Sequence, residues 1–238
     1  MANATFFHWS SGKDAAFGLY ELLQNPEYEV RHLLTTINRD LNRVSMHGLR
    51  TEMLQLQMDA IGLPNSTVAL SQQATMDEYN AAMSLAYKAL KEQLLTHGAF
   101  GDIFLEDLRQ YREKEMARQQ ITPLFPLWKR NTTALVKQFI EQGFRAVVVC
   151  VNLNLLDCSF LGRELDLSFL EALPSNVDPC GENGEFHTYC FQAPFFKQSI
   201  PFVKGKTVIQ EYPSPIPGEP AVPFGFIDLL PAPGIRRM

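Results

Sequence analysis

Short apolar segments alternate with amphipathic segments along the first 150 residues of the chain. TFFHW (5–9), EVRHLLTTIN (29–38) and STVALS (66–71) have the length and composition of β-strands. Other segments, such as MDEYNAAMSLAYKALKEQLLTHG (76–98), place apolar residues at helical spacing. Strand and helix signals repeated in turn predict a doubly wound parallel sheet with helices on both faces, which is a Rossmann-like α/β fold.

The alternation continues through AFGDIFLE (99–106), TPLFPLW (122–128) and RAVVVCVN (145–152), and it changes near residue 155. We place a domain boundary near residue 126, after the fifth strand candidate. This divides the chain into a first α/β domain of residues 1–126 and a smaller C-terminal α/β domain of residues 127–238.

Two segments in the second half of the chain depart from the strand–helix alternation. Asn183-Gly184, which stands before residues of alternating polarity, predicts the turn of a β-hairpin. Residues 213–233 hold seven of the fifteen prolines, and proline disfavours both helix interiors and central strands. We therefore expect residues 213–233 to form an extended segment on the surface.

Composition and charge narrow the range of functions. The 238 residues carry a net charge of -5, and no run of Lys and Arg is longer than two, so we expect no nucleic-acid partner. No apolar stretch reaches about 18 residues, and the N-terminus lacks the pattern of a signal peptide. The four cysteines form no C-x-x-C pair, which argues against a zinc ribbon. These features predict a cytoplasmic protein without membrane contact.

The clearest chemical signal is HWSSGKDAAFGLY (8–20), in which small residues separate a strand from a helix. Backbone N–H groups gather at such turns and bind anions. The loop lacks the glycine and the Ser or Thr of a Walker A motif, and it is no G-x-G-x-x-G dinucleotide loop. It is similar to S-G-G-x-D-S, the pyrophosphate loop of enzymes that cleave ATP to AMP and pyrophosphate. The alternative is an ordinary turn in which Asp14 caps the helix.

Four further segments carry a resemblance that extends over residues 5 to about 202. They are GDIFLEDLRQYREKE (101–115), TPLFPLW (122–128), FLGRELD (160–166) and DPCGENGEFHTYCF (178–191). Together they resemble the diphthine–ammonia ligase family, and VSMHG (44–48) is similar to its bacterial-type branch. The resemblance implies an ATP-dependent ligase that amidates a carboxylate, which is that of diphthine on an elongation factor in archaeal and eukaryotic members. It also implies a nucleotide-binding domain of the adenine-nucleotide α-hydrolase type, followed by a family-specific substrate domain.

The resemblance of the loop, together with the position of Gly101-Asp102 at the carboxyl end of the fourth strand candidate, gives the residues that we expect to bind the nucleotide. They are Ser10, Ser11, Gly12, Lys13, Asp14, Gly101 and Asp102. The serines and Gly12 bring donors to the pyrophosphate, Lys13 adds positive charge, and Asp14 binds Mg²⁺. Asp102 either contacts the nucleotide or caps the following helix. Ala15 departs from the family pattern, which has Ser there, and its missing hydroxyl is expected to weaken ATP binding without abolishing it.

The segment DPCGENGEFHTYCF supplies the predicted catalytic residues. Glu182, Glu185 and His187 are expected to act on the acceptor side, where carboxylates orient ammonia or accept its proton. Both carboxylates have few basic residues near them in sequence, so we predict that they are free to bind ammonium. For His187 a structural role is an equal alternative. Arg50 is a further candidate for phosphate contact, with His47 beside it at the start of the second helix.

Several functional alternatives stay open at this point. The first is a ligase that adenylates a carboxylate and amidates it with free ammonia, releasing AMP and pyrophosphate. The others are a nucleotide-binding module or sensor with little catalysis and an ATP-dependent enzyme that modifies tRNA or transfers sulfur. The acceptor is a small molecule or a modified protein side chain, and a homodimer is one open form of assembly.

Overall fold

A computed structural model describes residues 2–44, 48–213, 218 and 220–234. The strands are β1 Asn3–His8, β2 Tyr28–Asn38, β3 Arg43–Val44, β4 Asn65–Leu70, β5 His97–Ala99, β6 Thr122–Leu124, β7 Arg145–Asn152, β8 Phe186–Gln192, β9 Phe202–Tyr212 and β10 Val222–Pro231. The helices are α1 Lys13–Gln24, α2 Thr51–Ile61, α3 Met76–Glu92, α4 Glu106–Arg118, α5 Thr132–Glu141 and α6 Leu167–Ala172, with a 3₁₀ turn at Cys158–Phe160. Within these ranges no helix is both long and apolar enough to cross a membrane.

The first sheet confirms the predicted Rossmann-like fold. Its parallel strands lie in the order β4-β2-β1-β5-β6, and the short β3 pairs antiparallel with the end of β2. From β1 the chain runs outward to β2 and β4 and then returns to β5 on the other side of β1. The direction of winding therefore reverses between β1 and β5. In open α/β sheets the crevice at the carboxyl ends of such strands is the usual ligand site.

Adjacent apolar residues of the central strands face opposite sides of this sheet, as strand geometry requires. Phe7 of β1 belongs to a core with α1 and α2, whereas its neighbour Phe6 packs with α3 and α4. Leu33 and Leu34 of β2 divide in the same way. Helices thus cover both faces, which explains why these strands are apolar without strict alternation.

The second sheet is antiparallel, with the order β8-β7-β10-β9. The prediction of a surface segment over residues 213–233 is wrong for residues 222–231, because they form β10, which lies between β7 and β9. Its prolines occupy the second and last positions, Pro223 and Pro231, so the segment between them keeps every backbone donor. Pro223 contributes its carbonyl, which accepts from Leu153 N at 2.9 Å.

The predicted hairpin at Asn183-Gly184 is also wrong. The element before this turn is the helix α6, and β8 pairs with the distant β7. The residues before the turn instead form a loop of hydrogen bonds around the side chain of Glu185. A local turn signal cannot reveal a strand partner that lies more than 30 residues earlier in the chain.

The two sheets share one apolar cluster, which includes Phe7 of β1 and Val147 of β7. The predicted boundary near residue 126 falls between β6 and β7, and the division into two domains stays a prediction. A bidentate ion pair adds a polar contact, since Arg50 at the start of α2 lies 2.7 Å from Asp228 of β10. Arg50 is therefore held by a carboxylate, and His47 lies outside the described residues.

Candidate active site

The loop Ser10–Asp14 comprises the turn after β1 and the first two residues of α1, at the carboxyl edge of the first sheet. Ser11 has a positive φ of 73°, a conformation that side chains other than glycine adopt at a cost of about 1–2 kcal/mol. Gly12 is the N-cap residue of α1 and supplies no side-chain cap. The tight turn points the first turn of α1, with its positive dipole end, toward the crevice.

Buried hydrogen bonds fix the strained residue Ser11. Its carbonyl accepts from Cys190 N of β8 at 2.9 Å and from Gln57 Nε2 of α2 at 3.0 Å. Gln57 is fully buried, donates also to Cys190 O at 2.6 Å and accepts from Trp9 Nε1 at 3.0 Å. The loop is thus held by α2 and by the second sheet, and the hydrogen bond from Trp9 helps to fix the Gln57 side chain.

Lys13 and Asp14 form an ion pair, with 2.7 Å between Lys13 Nζ and Asp14 Oδ2. Burial lowers the pKa of the Lys13 ammonium, but the negative charge of Asp14 and the hydrogen bond to it outweigh that effect, and the Lys13 pKa lies above its ordinary value. Burial raises the pKa of Asp14, and Lys13 opposes the increase. Asp14 Oδ1 is buried and accepts no hydrogen bond from the described residues. This oxygen is available to a ligand or a cation.

Gly101 and Asp102 follow β5 and lie beside the loop, as predicted. A Cβ added to Gly101 would lie 2.8 Å from the backbone C and O of Asp14, so only glycine permits this approach. Asp102 forms a bidentate ion pair with Arg112 of α4. The capping alternative for Asp102 is wrong, because Leu105 is the N-cap of α4 and has no side-chain cap. Contact with a nucleotide stays a prediction for both residues.

Glu182 joins the second half of the chain to this crevice. Its Oε1 accepts from Ile103 N at 3.0 Å, directly after Asp102. Burial and the negative charge of Asp14 raise the pKa of Glu182 to about 7. A carboxyl group with this pKa exchanges protons near neutral pH, which is the property that a general acid or base needs.

Glu185 differs from Glu182, and the prediction that it is free to bind ammonium is wrong. Its side chain is 1% exposed. Oε1 accepts from Asp178 N at 2.9 Å and from Asn183 Nδ2 at 3.1 Å, and Oε2 accepts from Asn183 N at 2.9 Å. These contacts close residues 178–185 into a loop and set the position of Glu182. A direct catalytic role for Glu185 stays a prediction.

His187 lies on β8, opposite Cys150 of β7. Burial and the nearby Lys13 lower the pKa of His187 to about 4. At neutral pH the imidazole is uncharged, so it can orient a neighbour or accept a proton only weakly. Its catalytic role stays a prediction.

Comparisons with known proteins identify the family. The N-terminal domain of diphthamide synthase matches residues 3–119, and its C-terminal domain matches residues 131–212. The chain belongs to the diphthamide synthase family. The matched regions contain both halves of the site, namely the loop with Gly101-Asp102 and the Glu182 loop with β8.

Relatives named diphthine–ammonia ligase share moderate identity with this chain. The Danio rerio protein is 27% identical over 221 residues, which span 84% of this chain and 86% of that protein. The Mus musculus protein is 27% identical over 215 residues, which span 80% of this chain and 79% of that protein. The Homo sapiens protein is 31% identical over 128 residues, which span 51% of this chain and 48% of that protein. For the first two, similarity extends over most of both chains.

Sequence reasoning missed three residues of the site in this family member. Gln57 is one polar residue among others in a predicted helix, and Ile103 contributes only its backbone N–H. The third is Thr188, whose Oγ1 accepts from Lys13 N at 3.1 Å. The contact between Thr188 and Lys13 joins residues 175 positions apart. No local pattern signals such contacts, although the small loop residues predicted that something approaches the backbone there.

Proposed function

We propose that this protein is an ATP-dependent ligase that joins ammonia to a carboxylate and releases AMP and pyrophosphate. The observation that carries the proposal is the hydrogen bond from Ile103 N to Glu182. Through it a carboxyl group with a pKa of about 7 lies beside a loop of the type that binds pyrophosphate. The names of the relatives support the same reaction.

The nucleotide side of the proposed reaction uses the loop Ser10–Asp14. The first turn of α1 and the small loop side chains offer N–H donors to the phosphates, and Lys13 supplies a buried positive charge. Asp14 fits Mg²⁺, because its Oδ1 is a buried carboxylate oxygen without a hydrogen-bond partner among the described residues. When bound, Mg²⁺ would neutralise phosphate charge there. Gly101 permits the close contact with the backbone of Asp14 that keeps the two segments together.

The proposed reaction has two steps. The acceptor carboxylate attacks the α-phosphorus of ATP, so an O–P bond forms and the bond to pyrophosphate breaks. Ammonia then attacks the activated carbonyl carbon, and the C–O bond to AMP breaks to leave an amide. Ammonia gives up one proton in the second step, and nearly all ammonia is ammonium at neutral pH.

Glu182 is the residue that we assign to proton transfer. With a pKa of about 7 it is partly ionised at neutral pH, and it can take the proton of ammonium before attack or of the amine after it. The negative charges of Asp14 and Asp102 near it favour a cation at this position. In this proposal Glu185 acts indirectly by holding the loop, and neutral His187 orients its neighbours.

The acceptor is a carboxylate of the diphthine class or a smaller molecule with the same reacting group. We test the proposal by measuring pyrophosphate and AMP after adding ATP, magnesium, ammonium and a panel of carboxylates. ¹⁵N-ammonium should appear in the product as an amide. ATP binding without release of pyrophosphate in any mixture would contradict the ligase and leave a nucleotide-binding module.

A further inference from the structure

The N-terminus of α1 is capped from the second sheet. Gly12, its N-cap residue, has no side chain, whereas Thr188 of β8 places its hydroxyl oxygen 3.1 Å from Lys13 N. Ser, Thr, Asp and Asn perform this role when they occupy the N-cap position itself. Here the hydroxyl arrives from a strand 175 residues later in the chain.

The Thr188 hydroxyl retains an unused donor. Its oxygen accepts from Lys13 N, and within the described part of the chain its proton makes no hydrogen bond. The side chain is 3% exposed, so water has little access. A buried hydroxyl proton without an acceptor is unfavourable, and a phosphate oxygen at the N-terminus of α1 would supply one.

The neighbouring side chain makes this donor more significant. Ala15 is buried in the first turn of α1 and carries no hydroxyl, so the helix provides no side-chain hydroxyl between Lys13 and Phe17. Asp14 Oδ1 also lacks a partner in the described part of the chain, and it is an acceptor rather than a donor. Thr188 is therefore the hydroxyl donor that the second sheet brings to this turn.

We propose that Thr188 binds a phosphate group of the nucleotide, with its hydroxyl donating to a phosphate oxygen while it accepts from Lys13 N. This inference rests on the proposed function. Residues of both sheets would then bind the phosphates. Because β8 follows directly after the loop that holds Glu182, a bound nucleotide would also stabilise the position of that loop.

The test compares Thr188→Val with Thr188→Ser in the whole protein, using calorimetry with magnesium-ATP, pyrophosphate and adenosine. Thr188→Val should weaken binding of ATP and pyrophosphate about tenfold, because one hydrogen bond to a charged group is lost, and it should leave adenosine binding unchanged. Thr188→Ser should retain most of the affinity because the hydroxyl remains. The adenosine measurement separates phosphate contact from structural damage, which would weaken all three ligands. Equal loss for adenosine, or an unchanged affinity for ATP, would overturn the proposal.

Two further variants keep the test decisive. Thr5→Val is a matched control, since Thr5 is fully buried on β1 and its hydroxyl bonds Asn3 O at the end of the strand away from the loop. It should leave phosphate affinity unchanged. If Thr188→Val does not fold, Thr188→Ala replaces it. Ala15→Ser should restore more affinity in the Thr188→Val background than it adds to the natural protein, and equal gains would contradict the shared role.

A failure of the proposed function gives a different result. If the natural protein binds neither ATP nor pyrophosphate, both the proposed function and this inference fail. If the natural protein binds both ligands and Thr188→Val binds them equally well, only the role of Thr188 is lost. Pyrophosphate release with added acceptor tests the ligase independently of these affinities.

Discussion

Replacing Glu182 and Glu185 by Gln should change the free energy of unfolding in opposite directions, although the two residues are three positions apart. The pKa of Glu182 rises from 4.5 to about 7 through burial and the charge of Asp14. The folded state therefore binds this proton more tightly than the unfolded state does. The stabilisation is complete below pH 4.5 and is lost as the pH rises toward 7.

The magnitude follows from that difference. One pKa unit corresponds to about 1.4 kcal/mol, so the whole change corresponds to about 3 kcal/mol. Because Glu182 is partly exposed, solvent screening reduces the expected value to about 1–2 kcal/mol. Glu182→Gln keeps an oxygen for Ile103 N and removes the charge. It should be more stable than the natural protein by about 1–2 kcal/mol at pH 8, with little difference at pH 4.5.

Glu185→Gln is the matched comparison. Both oxygens of Glu185 accept hydrogen bonds, and Asn183 N donates to Oε2 at 2.9 Å. The side-chain amide of Gln has only one oxygen acceptor. One hydrogen bond to a carboxylate oxygen is therefore lost, and the NH₂ group of Gln faces a group that is itself a donor. The free energy of unfolding should fall by about 2–3 kcal/mol at pH 8.

Urea unfolding between pH 4.5 and 8 measures both effects, and pyrophosphate release measures turnover on the same samples. Glu182→Gln should lower turnover about 10²–10⁴-fold while the affinity for ATP stays within a few-fold. A Glu182→Gln variant that is less stable at pH 8, or a stability difference that does not grow with pH, would refute the electrostatic argument. Natural turnover in that variant would refute proton transfer by Glu182.

Three further predictions concern the residues around the loop. Lys13→Met should weaken magnesium-ATP binding at least about tenfold in calorimetry, because a buried charge that faces the phosphates is removed; unchanged affinity would contradict this role. Gly101→Ala should reduce thermal stability by about 1–3 kcal/mol, since the new Cβ meets the Asp14 backbone at 2.8 Å, and an unchanged melting temperature would contradict the close contact. Arg112→Met should destabilise the protein by about 3 kcal/mol at pH 8 by leaving Asp102 without its cation. The loss should shrink at low pH, where burial favours protonated Asp102, and a pH-independent loss would contradict it.

The parts of the fold that sequence could predict depend on local patterns. The strands of the first sheet, the turn at Ser10–Asp14 and the position of Gly101 after β5 each follow from a short segment whose residues specify their own conformation. The adjacency of Gly101 to the loop follows from one further rule, that parallel strands present their carboxyl ends at one edge.

The second sheet could not be predicted in the same way. Its strand β10 contains two prolines, and proline within a segment normally argues against a central strand. Whether a proline is tolerated depends on which neighbour would need its missing N–H, and that is a property of pairing. The difference between Glu182 and Glu185 has the same origin, since it depends on the backbone groups that reach each carboxylate.

Gln57 provides the last prediction, because it tests whether the rigidity of the loop matters for function. Its side chain is fully buried and joins Trp9 Nε1, Ser11 O and Cys190 O. Gln57→Leu has similar volume and leaves Trp9 N–H without its acceptor, so we expect a loss of about 2–4 kcal/mol in urea unfolding. Gln55→Leu on the same helix is the control, since Gln55 is exposed and should cost less than about 0.5 kcal/mol. Because Gln57 fixes the Ser11 carbonyl at a strained φ, its loss should also weaken pyrophosphate binding under conditions where the variant is fully folded. Weaker folding with unchanged pyrophosphate affinity would mean that β8 alone holds the loop in its binding conformation.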